Sequence, residues 1–77
     1  MRVGFVGLGR MGLPMAHRIG SEFPVSGTDR DSARKALSTA HGIAWLDSPQ
    51  DVARQSDLVF VLVGTEAQVE DVFYGPY

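Results

Sequence analysis

Gly7-Leu8-Gly9-Arg10-Met11-Gly12 is the stretch that decides how this chain is read. It follows a short apolar run, Val3 to Val6, and opens a helix-like pattern that continues to Ile19. Glycines at this spacing are weak evidence alone, because nine are scattered over 77 residues. Their setting strengthens them: a strand before, a helix after, and an acidic residue, Asp29, about 20 positions beyond the first glycine. That combination specifies a site for the pyrophosphate of a dinucleotide. Gly7 permits a sharp turn out of the strand, Gly9 lets the backbone approach a diphosphate, and Gly12 lets the helix pack closely on the sheet. Unpaired N–H groups at the helix start bind phosphate oxygens without any basic side chain. The plain alternative is a glycine-rich turn with no ligand.

Working outward, Arg2 to Val6 reads as a strand that is apolar on both faces, as a buried parallel strand is. Pro14 is comfortable only in a helix's first turn, so the first helix starts near Met11 or Gly12. Met11, Met15 and Ile19, with Ala16 beside them, form its buried stripe. Phe23 to Thr28 is a second strand that delivers Asp29 at its end. Asp31 or Ser32 caps a second helix, in which Ala33, Ala36, Leu37 and Ala40 recur at helical spacing until Gly42 stops it. Ile43 to Leu46 is a brief third strand.

Ser48-Pro49-Gln50-Asp51 is a strong helix start. Serine caps, proline takes the first helical position, and Asp51 reaches back in the manner of a capping box. That helix ends near Gln55. Leu58 to Val63 is the most apolar strand and suits a sheet centre; Gly64-Thr65 closes it, and Thr65 with Gln68 starts a last helix carrying Val69, Val72 and Phe73. The order βαβαβαβα implies an α/β fold with a parallel sheet and helices on both faces. Right-handed crossovers lead to sheet order 3-2-1-4, the first half of a Rossmann-type doubly wound sheet.

Composition narrows the function. A formal charge of −2 with both signs interspersed argues against a nucleic-acid or anionic-membrane surface. No apolar run approaches the roughly 20 residues that cross a bilayer, and there is no basic region followed by an apolar signal core, so the expectation is a cytoplasmic protein. Cysteine is absent, and His17 and His41 lack ligand-like spacing, so no metal site is expected. No catalytic serine–histidine–acid set or carboxylate pair stands out.

Asp29 falls where a carboxylate accepts hydrogen bonds from the adenosine ribose hydroxyls and repels a ribose phosphate, which favours NAD over NADP. Arg30 complicates this, since a guanidinium there holds such a phosphate or stacks on adenine. Val63-Gly64 ends the fourth strand beside the glycine turn, where strand order reverses and ligands sit. Met11 either faces the nicotinamide or packs, and Arg10 points at the diphosphate or at water.

At these residues the chain resembles a family. Val3-Gly4-Phe5-Val6-Gly7-Leu8-Gly9-Arg10-Met11-Gly12-Leu13-Pro14-Met15-Ala16 is similar to the N-terminal signature of the β-hydroxyacid dehydrogenases, which include 3-hydroxyisobutyrate dehydrogenase, tartronate semialdehyde reductase and, more distantly, 6-phosphogluconate dehydrogenase. Thr28 to Asp31, Ser48-Pro49 and Asp57 to Val63 extend the likeness along the chain. The resemblance implies an NAD(P)-dependent oxidoreductase acting on a small hydroxy acid or its semialdehyde. Gly7, Leu8, Gly9, Arg10, Met11 and Gly12 would hold the pyrophosphate, Asp29 and Arg30 the adenosine ribose, and Val63 and Gly64 the cofactor's flank.

Two departures stand out. Val63-Gly64 replaces the family's usual Leu-Pro, and Asp29 replaces the asparagine of NADP-preferring members, which supports NAD. The family's substrate-binding Ser-Gly-Gly segment, its catalytic lysine, its remaining strands and its helical second domain lie beyond Tyr77. Residues 1–77 therefore read as the N-terminal part of a cofactor domain, not expected to catalyse alone. The alternatives are a stand-alone nucleotide-binding or interaction module, discriminated by whether coding sequence continues past Tyr77, and another Rossmann enzyme such as an imine reductase. An FAD site fits less well, because it usually has glutamate after the second strand. An open fourth strand also implies self-association through the sheet edge.

Overall fold

Every residue of the first strand, β1 (Val3–Val6), is buried, as its unbroken apolar character demands. The computed structural model describes residues 1–62. In them β1 is followed by α1 (Gly12–Ile19), β2 (Val25–Thr28), α2 (Arg34–Ala40), β3 (Ala44–Trp45), α3 (Pro49–Gln55) and β4 (Leu58–Val61). The four strands form one sheet in the order β3-β2-β1-β4, and every pairing is parallel. This is the α/β, 3-2-1-4 arrangement expected from the alternation of elements. The helix expected from Thr65 onward, with Val69, Val72 and Phe73, lies outside the described residues.

The pleat divides the core in two. Val3 and Phe5 of β1 cluster with Ala16 of α1, Leu8, Val25 and Ile43, and the ring of Phe60 on β4 stacks on that of Phe5 with centroids 5.1 Å apart. Val6, one residue on, belongs to a second cluster with Val52 of α3, and Leu46, Val59 and Val61 pack against it. Alternation along β1 and β4 thus sends successive side chains to opposite faces, α1 covering one and α3 the other.

Several boundaries and faces depart from the sequence pattern. β2 omits Phe23 and Pro24, both exposed, and β3 shrinks to two residues. Met11 precedes α1 and is 69% exposed, so the α1 stripe consists of buried Ala16 with half-buried Leu13, Met15 and Ile19. On α2 the pattern is inverted: Ala36, Leu37 and Ala40 are exposed, while Ser38 is buried. The reason is position. α2 lies over the end of the sheet, beside a two-residue strand that offers little apolar surface to cover. β4 pairs only with β1 among the described residues, so it is an edge there and not a centre.

Caps follow local chemistry. Ser48 Oγ accepts the Asp51 N–H at 3.2 Å, and Pro49 takes the first turn of α3. Asp51 does not close a capping box: its carboxylate meets the Arg54 guanidinium one turn on, at 3.1 Å. The N-cap of α2 is Ala33, not the expected Asp31 or Ser32, and no side chain caps it; Asp31 Oδ1 instead accepts the Ala33 N–H at 3.0 Å in the turn before the helix.

Candidate functional site

The register places Val6 opposite both Thr28 and Val61, so β1, β2 and β4 end level with one another. The turn after β1 and the turn after β2 therefore meet at one edge of the sheet. The chain runs from β1 to β2 on one side and to β4 on the other, which opens a crevice at the carboxyl ends of the strands.

Gly7 begins the turn with φ +105°, a left-handed conformation that a side chain resists, and its N–H donates to Thr28 O at 2.9 Å. A Cβ there would overlap the Leu62 carbonyl, and one at Gly12 would overlap the carbonyl of Gly7. Leu8 turns fully inward and joins the core, anchoring the turn from below. Gly9 differs from both: a Cβ built on it meets nothing within 4 Å among the described residues. Packing within the described residues does not require glycine here, and its missing side chain leaves open space in front of the turn.

Into that space the turn presents donors. Among the described residues, the N–H groups of Gly9, Arg10 and Met11 have no hydrogen-bond partner. Leu13 N–H returns to Gly9 O at 3.1 Å, so the helical pattern begins immediately behind them. Unpaired donors at the positive end of α1 suit an anion. The side chains of Arg10 and Met11 are both exposed.

Asp29 ends β2 half-buried. Its Oδ2 accepts the Leu8 N–H at 2.7 Å and its Oδ1 accepts the Asp31 N–H at 2.9 Å, so one carboxylate joins the two turns. The sequence reading assigned Asp29 to ribose hydroxyls and did not anticipate this tether. An ionised carboxylate has about four acceptor positions, so two backbone donors leave capacity for a ligand hydroxyl. Arg30 is exposed beside it. Val63 and Gly64 lie outside the described residues.

Two further residues meet that the sequence reading kept apart. His17 on α1 and His41 at the end of α2 bring their rings to 4.9 Å between centroids. No group of three or more potential metal ligands occurs among the described residues, and none of their helices is long and apolar enough to cross a membrane. Lys35, the only lysine in the chain, is exposed on α2.

Comparison with known proteins agrees with this geometry. Residues 2–76 match the family described as the NAD binding domain of 6-phosphogluconate dehydrogenase. The chain is 37% identical over 78 residues to 2-hydroxy-3-oxopropionate reductase of Escherichia coli, a match covering 97% of this chain and 26% of the relative. It superposes with TM-score 0.81 and 34% identity on Mycobacterium tuberculosis 3-hydroxyisobutyrate dehydrogenase with L-serine, covering 94% of this chain and 25% of that one. An imine reductase from Myxococcus stipitatus in complex with NADP+ superposes with TM-score 0.87 over 99% of this chain and 27% of its own, at 19% identity, a likeness of fold alone. The chain thus spans about a quarter of the length of the relatives it matches.

Proposed function

The chain belongs to the family of the NAD binding domain of 6-phosphogluconate dehydrogenase, and from that premise we propose that it binds a nicotinamide dinucleotide at the carboxyl ends of its strands. The space in front of Gly9, free of any described neighbour, carries the reading, because a glycine there lets a ligand approach the backbone closely. The N–H groups of Gly9, Arg10 and Met11 would meet the pyrophosphate, with Gly7, Leu8 and Gly12 shaping the turn. Asp29 and Arg30 would take the adenosine ribose, and Val63 and Gly64 the cofactor's flank.

NAD is favoured over NADP. The carboxylates of Asp29 and Asp31 both stand in the turn after β2, where they would repel a ribose phosphate. When bound, the nicotinamide supplies or accepts hydride. The names of the relatives suggest a small hydroxy acid or its semialdehyde as the reaction partner of the whole protein. This chain's share is to hold the dinucleotide, as the N-terminal part of a Rossmann cofactor domain.

The test is a titration of the 77-residue chain with NADH and NADPH, following energy transfer from Trp45. Saturable binding that favours NADH supports the reading. Preference for NADPH moves the ribose assignment to Arg30. Binding of neither, by a chain shown to be folded, overturns the proposal for this polypeptide.

A further inference from the structure

We propose that His17 and His41 form a two-histidine site for a borderline divalent cation such as Zn²⁺, bridging the C-terminal ends of α1 and α2. The site is separate from the glycine turn and does not depend on the dinucleotide reading. His17 sits in the last turn of α1 and His41 is the C-cap of α2. They are 24 residues apart in sequence, yet their rings stand 4.9 Å apart at 86°.

The hydrogen bonds identify the nitrogen each ring keeps free. His41 Nδ1 lies 2.7 Å from Leu37 O and His17 Nδ1 a longer 3.4 Å from His41 O. A carbonyl oxygen only accepts, so these contacts place a proton on each Nδ1, and Nε2 is the nitrogen left to take a metal. This is the usual state of a metal-binding histidine, whose second nitrogen donates to a carbonyl or carboxylate and orients the ring.

Separation and field agree with this assignment. With a Zn–N distance of about 2.0–2.1 Å, an imidazole's centre lies about 3 Å from the ion, and two such rings on a tetrahedral ion stand about 5 Å apart. Both residues belong to helix C-termini, where the helix dipole favours a cation. Water would complete the coordination, since among the described residues no third protein ligand joins the pair. Imidazole pairs select Zn²⁺, Cu²⁺ or Ni²⁺ over Mg²⁺ and Ca²⁺, which prefer oxygen.

The experiment titrates the untagged full chain with ZnCl₂, and separately with MgCl₂, while the histidine ring protons are followed by NMR. Both rings are expected to shift together with Zn²⁺ at one ion per chain and to ignore Mg²⁺. Both side chains are exposed, so His17→Gln and His41→Gln keep the fold, which the amide spectrum verifies. Losing an outer partner of a metal ligand typically weakens binding about 10–100-fold, so each variant is expected to bind Zn²⁺ at least about tenfold more weakly. Rings that titrate with different midpoints, or a single variant that keeps full affinity, would overturn the site.

Discussion

Asp29 Oδ2 accepts the N–H of Leu8 at 2.7 Å, across 21 residues of sequence, and so ties the turn after β1 to the end of β2. The same carboxylate accepts Asp31 N–H through its other oxygen. Asp29 therefore positions the glycine turn as well as standing where a ribose would bind. A hydrogen bond to a charged group contributes roughly 1.5–3 kcal/mol. Asp29→Ala is expected to lower unfolding free energy by about that much, as read by urea denaturation. Asparagine has one carbonyl oxygen to offer two N–H donors, so Asp29→Asn is expected to fall between. If Asp29 acted only on the ribose, Asp29→Ala would leave stability unchanged.

Gly9 and Gly12 separate binding from folding. Gly9→Ala meets no neighbour among the described residues and is expected to keep its melting temperature while weakening NADH binding. Gly12→Ala drives a methyl into the Gly7 carbonyl, with Leu62 Cδ1 3.6 Å away. That overpacking is expected to cost about 1–3 kcal/mol. Thermal melts of the two variants beside the NADH titration check both, and equal melting temperatures would contradict the assignment.

Asp57 links the starts of β1 and β4, its Oδ2 accepting the Arg2 N–H at 2.8 Å. That hydrogen bond, against an opposing desolvation and with help from the nearby Arg2 guanidinium and the N-terminal amine, holds its carboxyl below the usual carboxylate range. A pKa lower in the folded chain than in the unfolded one adds stability above the unfolded value. The contribution disappears as pH falls through the folded value. Stability is therefore expected to decline below about pH 4, and Asp57→Asn is expected to flatten that decline. Denaturant midpoints measured from pH 2 to pH 6 on both chains provide the comparison.

Leu58 is 43% exposed on β4, whose second edge pairs with no strand among the described residues. An apolar edge of this kind invites another strand, and lysine on it discourages pairing. Sedimentation velocity is expected to show concentration-dependent association that Leu58→Lys reduces. A monomer at all concentrations in the unaltered chain would show that the edge is already protected.

Much of the architecture was legible in the residues. Glycine, proline and serine act through their own backbone limits, so Gly7, Gly42 and Ser48-Pro49 marked a turn, a helix stop and a helix start that the structure contains. The faces of helices were less legible. Periodicity identifies a stripe but not whether anything lies opposite it, and α2 stands where the sheet has almost ended, leaving Leu37 46% exposed. Met11 fits the α1 repeat but precedes the helix and turns outward.

The sequence by itself determined the order of elements from β1 to β4, the parallel 3-2-1-4 sheet and the glycine turn, because propensity, turn chemistry and crossover handedness act over a few residues or are universal. Only the tertiary structure decided what Asp29 and the histidines do. The Asp29–Leu8 tether spans 21 residues and the His17–His41 approach 24, and each exists because the crossovers set successive strands side by side and successive helices close together. Local pattern carries no record of such meetings. They follow from where the strands align and how the helices lie across them.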